Sequence, residues 1–119
     1  MPTARLKSLR LCVADIKKSR DFYSQLFELT PVRNDVDLVV FEMSGTNLDI
    51  LLADEKNPLS TGGSIGYFEV ENLKHFIERS KEIGAEIWRG PLKINEDGWT
   101  IVQIKDIAGN IIGFEGQLP

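Results

Sequence analysis

The chain has one histidine, His75, and one cysteine, Cys12, and this scarcity decides much of the chemistry open to it. A Ser/His/Asp triad needs an imidazole fixed between a hydroxyl and a carboxylate. His75 stands alone in a helical stretch and reads as a surface side chain. Cys12 has no second thiol, which excludes an intrachain disulfide and fits a reducing compartment. It reads as a small buried apolar filler and not as a nucleophile. The glycine-rich run Ser60-Thr61-Gly62-Gly63-Ser64-Ile65-Gly66 leads into a strand, so it lacks the helix N-terminus that a phosphate loop needs.

Seven residues remain as candidates for binding: Arg10, Asp49, Tyr67, Glu69, Trp99, Gln103 and Glu115. Arg10 has planar donors that could clamp an anionic group; the competing expectation, and the one preferred here, is neutralisation by Glu69 or Glu115. Asp49 reads either as a contact to a cationic ligand or as a partner for Arg10. The Tyr67 phenol could orient a ligand, or it could be a core tyrosine with one satisfied hydrogen bond. Trp99 could stack on a planar or cationic group, or it could cover the end of a sheet just after a turn. Glu69 and Glu115 are the candidates for a general base if the protein is an enzyme. Asp49, Glu69 and Glu115 together would suit only a hard ion, having no imidazole.

The elements that position these residues come in two copies. Val13-Ala14-Asp15-Ile16-Lys17 recurs as Val70-Glu71-Asn72-Leu73-Lys74, and the Gly45 turn with its strand recurs at Gly109. A duplication of this kind predicts a pseudo-two-fold fold. In the first half, residues 6–13 read as a strand. Asp15 caps a helix of about a dozen residues, with Ile16, Phe22, Tyr23, Leu26 and Phe27 inward. Strands follow at 38–43 and 48–52, after an extended stretch from Pro31. In the second half, a strand at 65–70 leads to a helix capped by Asn72 and stopped at Gly84. Strands follow at 86–89, 99–105 and 111–115.

Each half is thus a strand, a helix and three strands. The expected class is α+β, with tandem βαβββ modules forming a curved eight-stranded incomplete barrel, or cup, with its helices outside. Residues 1–119 are read as a single domain of two repeats, about 5–53 and 63–116, joined by a polar linker at 54–62. Strand alternation turns Ser8, Arg10 and Cys12, then Asn47, Asp49 and Leu51, toward the interior. It does the same for Ile65, Tyr67 and Glu69, for Trp99, Ile101 and Gln103, and for Glu115.

The formal net charge is −4 and the sequence pI is about 5.0. Phosphate neutralisation dominates nucleic-acid affinity, and no stripe of basic residues with interleaved aromatics is present, so nucleic acid is not an expected partner. No apolar run reaches membrane length and the N-terminal residues lack an apolar signal core. The expectation is a cytoplasmic protein without a membrane partner.

The sequence Val13-Ala14-Asp15-Ile16-Lys17-Lys18-Ser19-Arg20-Asp21-Phe22-Tyr23, together with Asp106-Ile107-Ala108-Gly109-Asn110-Ile111-Ile112 before the last strand, resembles the vicinal oxygen chelate superfamily. That group includes glyoxalase I, extradiol dioxygenases, fosfomycin-modifying enzymes and bleomycin-binding resistance proteins. The second motif departs from the usual Asp-Pro-Asp-Gly turn at Ile107 and Ala108. Metal-using members place a His, Glu or Gln on the first and last strand of each half. The resemblance carries those positions to Ser8, Asp49, Ile65 and Gly113. Ser8 is a poor ligand, Ile65 and Gly113 have no donor, and Asp49 could be a relic of the site.

The reading is therefore a protein with no metal, no cofactor and no assigned catalytic residue. Bleomycin-resistance-like members are the nearest in character, which implies binding of a small organic molecule, sequestration of an antibiotic or other toxic compound, and a homodimer. The alternative is a lyase, isomerase or dioxygenase of the same superfamily, with or without a metal.

Overall fold

The computed structural model describes residues 4–59 and 63–118. The chain divides into two compact units, Met1–Leu59 and Ser60–Pro119. Part of the expected linker, residues 60–62, lies outside the described residues, and so does the start of the glycine-rich run.

The first unit contains β1 (Ser8–Val13), α1 (Ile16–Phe27), β2 (Arg33–Asn34), β3 (Leu38–Met43) and β4 (Thr46–Leu52). Its sheet has the order β1-β4-β3-β2. β1 lies parallel to β4, and the other neighbours are antiparallel. The second unit contains β5 (Tyr67–Glu69), α2 (Leu73–Glu82), β6 (Glu86–Lys93), β7 (Trp99–Lys105) and β8 (Ile111–Gln117). Its order, β5-β8-β7-β6, is the first sheet's order repeated, again with one parallel pair, β5 and β8. The tandem βαβββ reading holds, and each module carries its own four-stranded mixed sheet.

The helices start where the two copied motifs place them. The carboxylate of Asp15 accepts from the backbone N–H of Lys18 at 3.1 Å, and the side-chain oxygen of Asn72 accepts from that of His75 at 3.1 Å. Each satisfies one of the N–H groups that a helix start leaves open. The ends differ. After α2 the chain turns at Gly84, with φ +107°, where a glycine carries no Cβ penalty. After α1 the same left-handed conformation falls on Glu28, φ 54°, a position that offers no glycine to read in the sequence.

Each helix packs one apolar face on its sheet. In the first unit Phe22, Tyr23 and Leu26 are buried, as are Val13, Val39, Phe41, Leu48 and Ile50. Each large side chain so buried contributes roughly 1.5–3 kcal/mol. In the second unit Leu73, Val102, Ile104, Ile112 and Phe114 are buried, and the rings of Phe76 and Phe114 meet at 5.5 Å. His75 is exposed and sets its ring edge-on to Phe76. Cys12 is half-buried, not the fully buried filler expected.

Several strand boundaries differ from the sequence reading; β4 starts two residues earlier, at Thr46, and β8 runs two residues further, to Gln117. β1 begins at Ser8, and β5 spans only Tyr67–Glu69, which leaves Ile65 outside it. β6 runs on to Lys93 because two register shifts, between Ile87 and Arg89 and between Arg89 and Leu92, let it follow β7 beyond a straight strand. Bulges of this kind re-aim side chains. Arg89 comes into register with Gln103 and Leu92 with Ile101, on the sheet face away from α2. Trp88 joins that face, with the Lys105 amine 5.2 Å over its ring.

The altered turn motif works without its Pro and second Asp. The Asp106 carboxylate accepts from the N–H of Ala108 at 2.9 Å and of Asn110 at 2.8 Å, and the Asp106 carbonyl accepts from Gly109 at 3.1 Å. Asp106 is only 5% exposed, and removing its carboxylate takes away the side-chain acceptor of two part-buried N–H groups. Asp106→Ala is expected to lower stability by about 1–3 kcal/mol, read as a shift in the urea midpoint at unchanged slope.

Candidate functional site

In each module one sheet face is covered by its helix and the other carries the chemistry-bearing side chains. The register of the parallel pair decides which of these meet. In the first module Ser8 pairs with Asn47, Arg10 with Asp49 and Cys12 with Leu51. In the second Tyr67 pairs with Gly113 and Glu69 with Glu115.

Arg10 and Asp49 form an ion pair. The Arg10 Nε–H and one Nη2–H both go to Asp49 Oδ2, at 3.1 and 3.0 Å. The Asp49 side chain is 5% exposed and that of Arg10 51%. The carboxylate is thus enclosed, while the guanidinium lies at the surface of the face. Arg10 is neutralised inside its own module. The partner is Asp49, directly opposite in the neighbouring strand, and the reading that paired these two is correct.

The equivalent pair in the second module is Tyr67 and Gly113. The phenol ring lies across Gly113 so closely that a Cβ there would fall inside contact distance of Cδ2, Cε2 and Cζ. Glycine at this place is a space requirement. The Tyr67 hydroxyl accepts from Gln103 Nε2 at 2.8 Å. Gln103 is buried and Tyr67 is 39% exposed, so the ring is a platform pinned at its tip and open on its outer side. Tyr67 makes the one hydrogen bond of the core reading, but its exposure means that it is not a core tyrosine.

Trp99 is half-buried, and its indole N–H donates to Glu115 Oε1 at 3.2 Å. The bond fixes the indole and the carboxylate together, on the face that also carries Ile101 and Leu92. Glu69 is exposed, beside Glu115 in the next strand. Among the described residues, no group of three or more His, Cys, Asp or Glu side chains is placed to hold a metal ion.

The structure adds residues to this face that sequence reasoning missed. Trp88, Arg89 and Leu92 arrive through the bulges of β6, which alternation cannot reveal. In the first module a polar depression of about 340 Å³ is lined by Arg5, Lys7, Glu42, Ser44, Gly45 and Asn47. Arg5 reaches it by donating to the Gly45 carbonyl at 2.8 Å. The basic residues 5 and 7 just before β1 were the available signal.

The Glyoxalase/Bleomycin resistance protein/Dioxygenase superfamily model matches residues 5–114, and the chain belongs to that superfamily. Solved structures agree on the fold. A glyoxalase/bleomycin resistance protein/dioxygenase family enzyme from Burkholderia phytofirmans PsJN superposes with a TM-score of 0.81 at 14% identity, covering 97% of this chain and 100% of that one. A glyoxalase-related enzyme from Fulvimarina pelagi gives 0.78 at 19% identity, over 95% and 88% of the two chains. A glyoxalase/bleomycin resistance protein from Albidiferax ferrireducens T118 gives 0.77 at 18%, over 96% and 100%. No protein among the curated sequences matches the chain.

The residues here do not fit the divalent metal of the metal-using members. Gly113 offers no donor and lies under the Tyr67 ring, Ile65 offers none, and Ser8 is a weak one. Asp49 already accepts two N–H bonds from Arg10.

The Tyr67–Gly113 fit gives a direct test. Gly113→Ala must push the ring aside and break its bond to buried Gln103, at a cost of about 1–3 kcal/mol. Tyr67→Phe, which keeps the ring and loses only the bond, should cost about 0.5–1.5 kcal/mol. In the Tyr67→Ala/Gly113→Ala double variant the clash is gone, so its loss should be smaller than the sum of the Tyr67→Ala and Gly113→Ala losses. Chemical denaturation of the parent protein and these four variants measures all three effects.

Proposed function

We propose that the protein binds a small organic molecule without a metal, holding it against the open face of a sheet, and that its role is sequestration of a toxic compound such as an antibiotic. The observation that carries this reading is the equivalence of Arg10–Asp49 and Tyr67–Gly113. At both last-strand positions where metal-using relatives place a ligand, the neighbouring first-strand side chain is laid over the position or bonded to it. What remains on each module's open face is suited to binding. In the second module Tyr67, Trp99, Ile101 and Leu92 offer area and Gln103 and Glu115 offer directional groups; in the first, Arg10 offers directional donors beside Leu51 and Val40, the composition usual in ligand sites.

The same reading makes the protein a cytoplasmic homodimer. Each sheet ends in edge strands, β1 and β2 in one and β5 and β6 in the other, and a second copy is one way to cover such edges. Among the described residues no helix is long and apolar enough to cross a membrane.

Protein purified without chelator should carry far less than one Mn, Fe, Ni or Zn per chain by elemental analysis, and adding these ions should leave its melting temperature unchanged. A thermal-shift screen of organic compounds should yield a stabilising ligand. In a Trp88→Phe background that ligand should change the Trp99 emission, and Trp99→Ala should weaken its binding by about 1–3 kcal/mol. Light scattering should give twice the chain mass of 13.4 kDa. A metal held in stoichiometric amount would overturn the metal-free reading in favour of a metal-dependent enzyme.

A further inference from the structure

Resting on that binding reading, we propose that the open face of the first module takes the head group of an organic carboxylate, with Arg10 as the binding residue and Asp49 as the positioning residue behind it. A guanidinium has five N–H donors in a planar fork. Two of them, on Nε and Nη2, go to Asp49 Oδ2, which leaves three on Nη1 and Nη2. That edge can hold a carboxylate through two parallel bonds. The burial is graded in the right sense: the Asp49 side chain is 5% exposed and that of Arg10 51%, so the enclosed acid holds the fork while its outer edge meets water. An arginine fixed in this way has already lost its rotamer freedom on folding, so less is lost when a ligand docks.

The neighbouring rows of the face define the rest of the ligand. On one side of Arg10–Asp49 lies Cys12–Leu51–Leu38, and Val40 adjoins Asp49 in β3; this is an apolar floor. On the other side lie Ser8 and Asn47, then the polar depression with Arg5 and Lys7 on its rim. Among the described residues neither Arg5 nor Lys7 is in an ion pair with an acid, and Glu42 is the one acid of that lining. The arrangement fits a compact apolar or aromatic body over Leu51 and Val40 with its carboxylate on Arg10.

The experiment is an NMR titration of the isotope-labelled full chain, following backbone amides and arginine Nε–H signals. The probes are sodium benzoate, benzylamine and sodium acetate. Benzoate should move the Arg10 Nε–H and the amides of Asn47 and Leu51 saturably, and its affinity should fall several-fold between low salt and about 0.3 M salt. Benzylamine should leave these signals in place. Acetate, lacking the apolar body, should bind about ten-fold more weakly than benzoate. Arg10→Lys keeps the charge and loses the fork, and should weaken benzoate about five-fold or more.

Asp49→Asn decides the positioning role by sign. If Asp49 merely repelled the anion, removing its charge would tighten benzoate; as a positioning residue, its loss should weaken benzoate about three-fold or more, and by less in the Arg10→Lys background. Thermal unfolding confirms that each variant folds. If Asp49→Asn does not, Arg10→Lys and the salt dependence still test the site. Tighter binding in folded Asp49→Asn, or an Arg10 signal that benzoate does not move, overturns the proposal. Should benzoate be silent while benzylamine or a screened neutral compound binds elsewhere on the protein, the carboxylate assignment fails and the general binding reading stands. Silence of every compound removes both.

Discussion

In each module the first strand lies parallel to the last, and the register of that pair decides which side chains of the open face meet. Parallel pairing fixes partners far apart in the chain: Arg10 reaches Asp49, and Tyr67 reaches Gly113. A slip of one residue in either pair would turn every one of these side chains to the helix face. The buried sets beneath α1 and α2 prevent it, because Leu48 and Ile50 in β4 and Ile112 and Phe114 in β8 must stay under their helices. The packing on one face thus holds the chemistry on the other.

The duplication has kept this geometry and changed its content. Equivalent places hold an arginine bonded to a carboxylate in one module and a phenol over a glycine in the other. The first solution keeps a charged, directional group at the surface. The second produces a flat, weakly polar plate whose tip is tied to Gln103. Both place matter or hydrogen bonds where metal-using relatives need open donor atoms, and they do so by different means.

Much of the scaffold could be read from the chain because its signals are local. Asp15 and Asn72 cap helices through bonds to residues three positions on, and the apolar spacing of Phe22, Tyr23 and Leu26 marks one face of α1. β3 and β7 agree with the sequence reading at both ends. Alternation puts Arg10, Asp49, Tyr67, Trp99 and Gln103 on the sheet faces away from the helices, in agreement with the strand register. The pairing of those side chains was harder to see. Nothing near Arg10 says that its partner is Asp49 and not a glutamate, since the choice depends on a register set by packing elsewhere. Gly113 gives no hint on its own that it exists to admit a ring. Trp88 and Arg89 were out of reach for another reason: bulges break the two-residue period on which the face assignment relies, and Glu28 enters a left-handed conformation that sequence normally marks with glycine.

The two bulges of β6 also bear on how the protein behaves in a crowded solution. β6 is the outer strand of its sheet and carries Trp88 and Leu92, with Ile94 just past its end, all substantially exposed. A straight border with such side chains would offer a foreign strand a continuous ladder to join and an oily surface to seal against. The interrupted register leaves only short stretches in step with β7, and Arg89 and Lys93 put positive charge along the border. The chain can therefore display large apolar groups at the rim of a sheet without inviting fibril growth, and a deletion that straightened β6 would take away that safeguard while leaving the fold's core intact.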